Sequence, residues 1–387
     1  MIDRARLLGI VVASSAILAL VLPTSSFGLD RNFAGSGQLD YHLVRQPADA
    51  TLPRTMFDGF TAEFAFKLAV DLSDHVSANV KVCYGCHGFE LGMGYFDARV
   101  ADELNVRVGR FSPTFGAFTL RHDPANHYLS DKPLIYDMGR MLRSREWNQG
   151  VLPSPFPDNG IELNGSHWFG STLQIDYAAW LVAGFKGDES SLDLDFQQSR
   201  VTYYVDNNGE PAFGGRIGAT IRLASTSDLT FGASAQRGHF DPERRLSYAV
   251  VGSDVALRIG RVDLRLEYLL RRQQFDQANP AALRYDVVGP RGDFFVKQGA
   301  YAELKAPLSE DIDLVGRVDG MYRHGNLAKL SPLSVRSTVM RYTLGTLFVL
   351  DTGLRAKLSA ELWDFSDADI EGRHTELSWH AALVGTY

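Results

Sequence analysis

Residues 58–72 read DGFTAEFAFKLAVDL and alternate in character along their whole length. Phe60, Ala62, Phe64, Phe66, Leu68, Val70 and Leu72 fall on one face. Thr61, Glu63, Ala65, Lys67, Ala69 and Asp71 fall on the other. A period of two is the spacing at which successive side chains leave opposite faces of a β-strand, so this segment is a strand with one apolar and one polar face. Residues 262–271 repeat the pattern with one exception, Leu269, and residues 354–362 repeat it without one. After residue 22 no apolar run approaches 18 residues, which excludes a bundle of membrane helices.

Strands of a soluble β-sandwich also alternate, but they are usually shorter and their polar faces meet water. Here many alternating segments run to ten or more residues, and their polar faces carry charges of both signs. A strand that crosses a bilayer needs about 9–11 residues, apolar toward lipid and polar toward an enclosed lumen. Lipid tolerates no open sheet edge, so such strands close into a barrel. The fold class is therefore all-β, a transmembrane antiparallel barrel of about sixteen strands. They are expected near residues 38–44, 58–72, 76–84, 89–99, 103–111, 158–166, 171–183, 212–223, 228–238, 247–259, 262–272, 294–306, 311–323, 335–350, 354–364 and 375–387, with a bulge near Asp97. With one exception, the loop at 85–88, short connections then alternate with long ones, the asymmetry of periplasmic turns and extracellular loops. The third long loop, residues 112–157, is the longest.

Before the strands, residues 1–6 carry Arg4 and Arg6, residues 7–22 form a 16-residue apolar stretch, and Pro23 and small residues follow. This is the plan of a secretory signal peptide over 1–28, leaving 29–387 as the barrel in the outer membrane of a Gram-negative bacterium. The net charge of −7 becomes −8 once Asp3 and the two arginines are removed, which argues against nucleic acid as a partner.

The sixteen strands, periplasmic termini and long third loop resemble the bacterial general porins. The stretch RVGRFSPTFG (107–116) resembles a segment of phosphate-selective porin O/P-type proteins, and DNGIEL (158–163) and LRLEYLLR (264–271) resemble further strands of that class. The alternating end of the chain, Leu377, Trp379, Ala381, Leu383, Gly385 and Tyr387, resembles the sorting signal of outer-membrane barrels. The resemblance implies passive diffusion of small hydrophilic solutes, a homotrimer, and a third loop folded into the lumen. That loop holds five cations, Arg121, Lys132, Arg140, Arg143 and Arg145, against four acids, so anions are expected to be favoured if it lines the constriction. Arg107, Arg216, Arg222, Arg258, Arg265, Arg317, Arg323 and Arg355 extend a basic track if they face the lumen. In the other reading they pair with Asp254, Asp263, Glu267, Asp319 and Glu361 and merely solvate the wall.

Both cysteines of the chain lie in Cys83-Tyr84-Gly85-Cys86-His87. C-x-x-C-H resembles the attachment motif of c-type haem, two thiols for the vinyl groups and a histidine for iron. No cytochrome domain surrounds it, and it falls at a hairpin tip rather than the start of a helix. Met93, His122 and His127 are the candidates for a sixth ligand. The alternatives are a Cys83–Cys86 disulfide, free thiols, or a metal site with His87. A haem here would make the protein a redox barrel with an electron-transfer partner. His122, His127 and Asp123 form a weak metal constellation. Ser378 and His380 share a face of the last strand and are read as lumen lining rather than as catalytic groups. A channel that is not an enzyme is the expectation.

Overall fold

The computed structural model describes residues 30–45, 59–85, 88–137, 150–187, 194, 196, 199, 202–274, 294–325, 336–367 and 374–387. The segment 1–28, expected to be a signal peptide, lies outside them. The sixteen strands are β1 (Arg31–Arg45), β2 (Gly59–Ser73), β3 (Val76–Gly85), β4 (Gly88–Ala101), β5 (Leu104–Phe111), β6 (Asp158–Phe169), β7 (Leu173–Val182) and β8 (Ala212–Ala224), followed by β9 (Ser227–His239), β10 (Ser247–Ile259), β11 (Val262–Gln274), β12 (Phe294–Pro307), β13 (Ile312–Gly325), β14 (Arg336–Asp351), β15 (Leu354–Asp367) and β16 (His374–Thr386). Each pairs antiparallel with its neighbours in sequence, and β1 pairs with β16 to close the barrel.

Sixteen strands were expected, and sixteen form. The largest departure is at β1, which begins at Arg31 rather than near residue 38. Gly35 and Gly37 sit inside the strand, where aromatic rings occupy the space that side chains at these positions would need. A Cβ on Gly35 would lie 2.2 Å from Tyr387 Oη, and one on Gly37 would lie 2.6 Å from the Phe64 ring. Tyr387 also stacks on Phe33 at 5.9 Å. The bulge expected near Asp97 falls elsewhere in β4, where Gly92 and Val100 are the residues skipped by the pairing with β3 and β5.

The two faces invert the usual order of a soluble protein. Along β1, Leu39, Tyr41 and Leu43 are exposed on the outside, while Gln38, Asp40 and His42 are buried inside. Phe60 on β2 and Phe89 on β4 are each 75% exposed, and Leu344 on β14 is 68% exposed. Arg341, Lys357, Glu361 and Asp319, by contrast, are almost wholly buried. Water would penalise this outer surface; hydrocarbon accepts it and instead charges roughly 2–4 kcal/mol for each arginine or lysine at mid-depth. The period of two has sorted the charges inward and the apolar side chains outward.

The interior is partly filled. The described part of loop 112–157, residues 112–137 and 150–157, folds into it, with single turns of 3-10 helix at Thr119–Arg121, Pro124–Asn126 and Leu134–Tyr136. Its apolar residues, among them Phe115, Phe118, Leu134 and Ile135, join inward residues of the wall, among them Trp180, Tyr248 and Leu269, in one buried cluster.

Candidate channel and constriction site

The inward loop is fastened to the wall at most of its described length, by groups that alternation had already turned toward the lumen. At its start, the Thr114 N–H donates to Glu162 of β6 at 2.8 Å, Gly116 N–H to Ser234 of β9 at 3.0 Å, and Ala117 N–H to Glu267 of β11 at 2.8 Å. Further on, Lys357 of β15 donates to the carbonyls of Pro124 and Leu129 at 2.8 and 3.0 Å, and Gln38 of β1 to that of Ser130 at 2.7 Å. Tyr136 donates to Glu267 at 2.5 Å. Backbone groups of a loop cannot be left dry without partners, and the wall supplies them.

The densest fastening is ionic. Asp131 of the loop meets Arg317 of β13 at 2.6 Å and the guanidinium of Arg341 of β14. Arg341 is shared with Asp319 at 2.5 Å and with Glu361 at 3.5 Å, and donates to the Lys132 carbonyl at 2.7 Å. Each of these charges is fully removed from water, so each depends on its partners.

A second ionic pocket lies near β2 and β3. Lys81 donates to His122 Nε2 at 2.6 Å and pairs with Asp123, which Lys67 also reaches at 2.6 Å. The Thr119 carbonyl accepts from His122 Nδ1 at 2.5 Å. This network fixes His122 as a neutral ring: a proton on Nε2 would face an ammonium. Burial first, and then the neighbouring Lys81 charge, push the His122 imidazole down to about 3. Burial likewise pushes His127 well below the ordinary histidine range, with Lys357 and Lys132 adding to the shift. Burial works against the charge of Asp123, but the Lys81 and Lys67 ammonium groups outweigh it and hold its carboxyl below the usual carboxylate range. Lys81 thus occupies the place that a metal on His122 and Asp123 would need.

The loop over residues 184–211 also contributes to the filling, which its sequence did not disclose. Phe185 packs on Phe156, Phe196 and Tyr248, with ring centroids 4.5, 5.0 and 4.8 Å away. Arg271 of β11 lies over the Phe196 ring at 5.1 Å. The available signal was the set of apolar residues in this loop, Phe185, Leu194 and Phe196 among them.

Beneath the inward loop, toward the end bearing the short turns, lies a cavity of about 670 Å³. Arg107, Arg121, Arg216, Arg258 and Arg265 line it, with Asp102, Asp176, Asp228, Asp254 and Asp263. The wall arginines have partners. Arg107 meets Asp97 and Glu162 at 3.0 and 3.1 Å, Arg216 holds Asp254 in a two-bond fork, and Arg258 pairs with Asp228. Arg265 bonds the Tyr128 hydroxyl and sits 3.8 Å from Glu303. The side chain of Arg121, on the loop, makes no hydrogen bond or ion pair among the described residues; its Nε is buried without a partner, and its charge acts on Glu267.

The expected pore-lining residues therefore divide. Arg107, Arg121 and Arg265 share the cavity. Arg317 faces inward but is sealed under the loop by Asp131, with only 2% of its surface exposed. Arg355 donates to the Ala125 carbonyl at 3.1 Å, and Arg222 lies over Trp168. Arg140, Arg143, Arg145 and the side chain of Arg323 lie outside the described residues. The pairing alternative holds for Arg216 with Asp254 and for Arg317 with Asp319 at 3.4 Å, whereas Asp263 takes Lys305 and Glu267 serves the loop.

Of the C-x-x-C-H motif, Cys83 lies on β3, paired with Ala65 of β2 and Glu90 of β4. Its sulfur points toward Gly92, where a Cβ would come within 3.0 Å of it. Cys86 and His87 lie outside the described residues. Ser378 and His380 are both buried on the inner face of β16. Ser378 donates to Glu361 at 2.8 Å, and His380 Nδ1 lies 3.0 Å from Asp40. The serine is thus engaged by a carboxylate, not by the histidine.

No protein-family model matches the sequence. No curated protein is significantly similar to it either. In three dimensions the chain is similar to an anion-selective porin from Comamonas acidovorans, with a TM-score of 0.57 and 12% identity over 93% of this chain and 100% of that one. It is similar to the outer membrane channel DcaP of Acinetobacter baumannii, with a TM-score of 0.56 and 9% identity over 93% and 98% of the two chains. OmpF of Salmonella typhi, in a complex with daunomycin, gives the same score, identity and coverage. At such identities the likeness is one of fold, and the fold it identifies is the closed sixteen-strand barrel of outer-membrane porins.

Proposed function

We propose that the protein is an outer-membrane channel through which small hydrophilic solutes diffuse, with anions favoured, and that it carries out no catalysis. A homotrimer in the bacterial outer membrane, with lipid against its apolar face, belongs to the same proposal. The observation that supports it best is the cavity under the inward loop. Its wall carries four arginines against five aspartates, so the anion preference rests on the cations of the inward loop. Arg121 adds a cation with no hydrogen-bond or ion-pair partner among the described residues. Charge in a narrow, low-dielectric lumen sets the sign of the ions that enter. Arg140, Arg143 and Arg145 belong to the same loop and add to this sign if they face the lumen.

Reconstituted protein in a salt gradient tests the proposal. Arg121→Ala is expected to lower the chloride-to-potassium permeability ratio about tenfold, because one unit charge ~6 Å from the ion path in a water-like dielectric changes the anion and the cation each about threefold, in opposite directions. Replacing Arg140, Arg143 and Arg145 together by Ala shifts the reversal potential in the same direction. Protein that inserts without conducting would remove the channel reading, and unchanged reversal potentials would remove the anion preference.

The haem-bearing alternative turns on Cys83. Residues 83–85 are extended strand, whereas the haem motif uses a helical turn to bring both thiols and the histidine to one side of the ring. Protein purified from a host that matures c-type cytochromes is therefore expected to be colourless, and its intact mass then separates free thiols from a Cys83–Cys86 disulfide, which lies two units below the reduced form. A Soret band and the mass of one haem, lost in Cys83→Ala, would reverse this and make electron transfer the function.

A further inference from the structure

We propose that the seam between the first and last strands holds a transition-metal site formed by His42, Glu361 and His380, suited to Zn2+ or Cu2+. The register builds it. His42 of β1 and His380 of β16 are direct cross-strand partners, and their rings lie nearly parallel, 4.2 Å apart at 12°. Glu361 of β15 pairs with Ser378, two residues before His380 on the same inward face. One donor atom from each of the three side chains lies within 4.8 Å of the others, and all three residues are buried. His380 Nε2 is buried, has no hydrogen-bond partner, and lies 3.5 Å from Glu361 Oε2. Two ligands on one tetrahedral zinc stand about 3.3 Å apart, given metal–ligand bonds of about 2.0–2.1 Å, so this pair is already at ligating separation.

The surroundings suit a cation better than they suit two stacked imidazoles alone. Asp40 lies 3.0 Å from His380 Nδ1, and a carboxylate there holds the proton on Nδ1 and leaves the Nε2 lone pair free to ligate. Arg341 approaches Glu361 through Oε1, at 3.5 Å, and leaves Oε2 toward the histidines. Oε2 is oriented by Ser378 at 2.8 Å and by the Trp363 indole at 2.9 Å. Two imidazoles and a carboxylate are a donor set for zinc, copper or nickel, whereas calcium and magnesium prefer oxygen throughout. A metal here ties β1, β16 and β15 together across the closure of the barrel. The inference does not depend on the channel reading, since nothing in it requires conduction.

The test uses tag-free, full-length mature protein, refolded into detergent micelles with Zn2+ or with a chelator, so that the metal can enter before the seam closes. Zinc is expected to raise the unfolding temperature, read by tryptophan fluorescence. Its dissociation constant should weaken at least tenfold in His42→Asn and in His380→Asn. The Cu2+ form should show electron-spin-resonance splitting from two imidazole nitrogens, falling to one in either variant. His380→Asn also removes a partner of Asp40, so if it fails to fold, His42→Asn carries the test. Zinc affinity equal in wild type and His42→Asn, or copper without nitrogen coupling, would mean that His380 is only an ion-pair partner of Asp40 and Glu361, and would overturn the site.

Discussion

Replacing Arg341 by Leu is expected to destabilise the barrel by about 3–5 kcal/mol, the cost of removing one member of a buried ionic group and leaving its partners uncompensated. Its guanidinium is completely buried and serves Asp131, Asp319, Glu361 and the Lys132 carbonyl at once. Without it, Asp131 retains only Arg317, and Asp319 retains a contact with Arg317 at 3.4 Å. Because Asp131 and Lys132 belong to the inward loop, the same change should also release that loop and raise single-channel conductance. Arg258→Ala is the internal control. Arg258 pairs with Asp228 at a side chain that is 56% exposed, and such pairs contribute about 0–1 kcal/mol. Denaturant unfolding in micelles, followed through Trp363, which the Arg341 guanidinium faces at 5.0 Å, reads both variants. Equal, small losses in the two would show that the buried group does not hold the loop.

Acid is expected to loosen the loop. His122 is neutral when the loop is docked, with its imidazole at about 3 against an ordinary 6.5. Above pH 6.5 His122 is neutral in the docked and the released loop alike and contributes no pH dependence. Below it, the released loop takes up a proton that the docked one refuses. Docking then weakens by about 1.4 kcal/mol per pH unit until about pH 3. His127, also held well below its ordinary value by burial, adds a contribution of the same sign. Asp131 opposes them, because burial raises its carboxyl to about 6 and the docked loop therefore gains from its protonation below that pH. Two histidines against one carboxyl leave a net loss, so conductance should rise between pH 7 and pH 5. His122→Gln, which keeps an acceptor for Lys81 without a titrating proton, should flatten that rise. Conductance that is level across this range in the wild type would refute the mechanism.

What was readable in the sequence follows from geometry. Alternation is a property of each strand alone, so every strand could be found and most ends lay within two or three residues. β1 failed at its start because Gly35 and Gly37 owe their place to Tyr387 and Phe64, residues distant in the chain or on the next strand. The inward fold of loop 112–157 was legible through its length and the porin resemblance. Its anchors were not. Lys81, Gln38, Lys357 and Arg341 read as ordinary lumen-facing polar residues, and nothing local distinguishes one that faces water from one that holds a loop. Arg317 illustrates the point: its strand and face follow from the pattern, but its seal under Asp131 depends on a residue 186 positions away. The histidine pair across the seam was hidden for the same reason.

That seam has a kinetic meaning. Every other strand pairing joins neighbours in the chain, and can form as soon as both are made. The pairing of β1 with β16 sets Asp40 beside His380, across 340 residues, and lays the last residue of the chain over Gly35. Joining ends so far apart carries the greatest loop-closure entropy in the molecule, and it cannot be offset by partial local contacts. Until it happens, two strand edges stand open with unpaired N–H and C=O groups, a state that hydrocarbon does not tolerate and that invites pairing with other chains. Closure of this barrel is thus expected to come last, at its most distant pair of strands, where Tyr387 packs against Gly35.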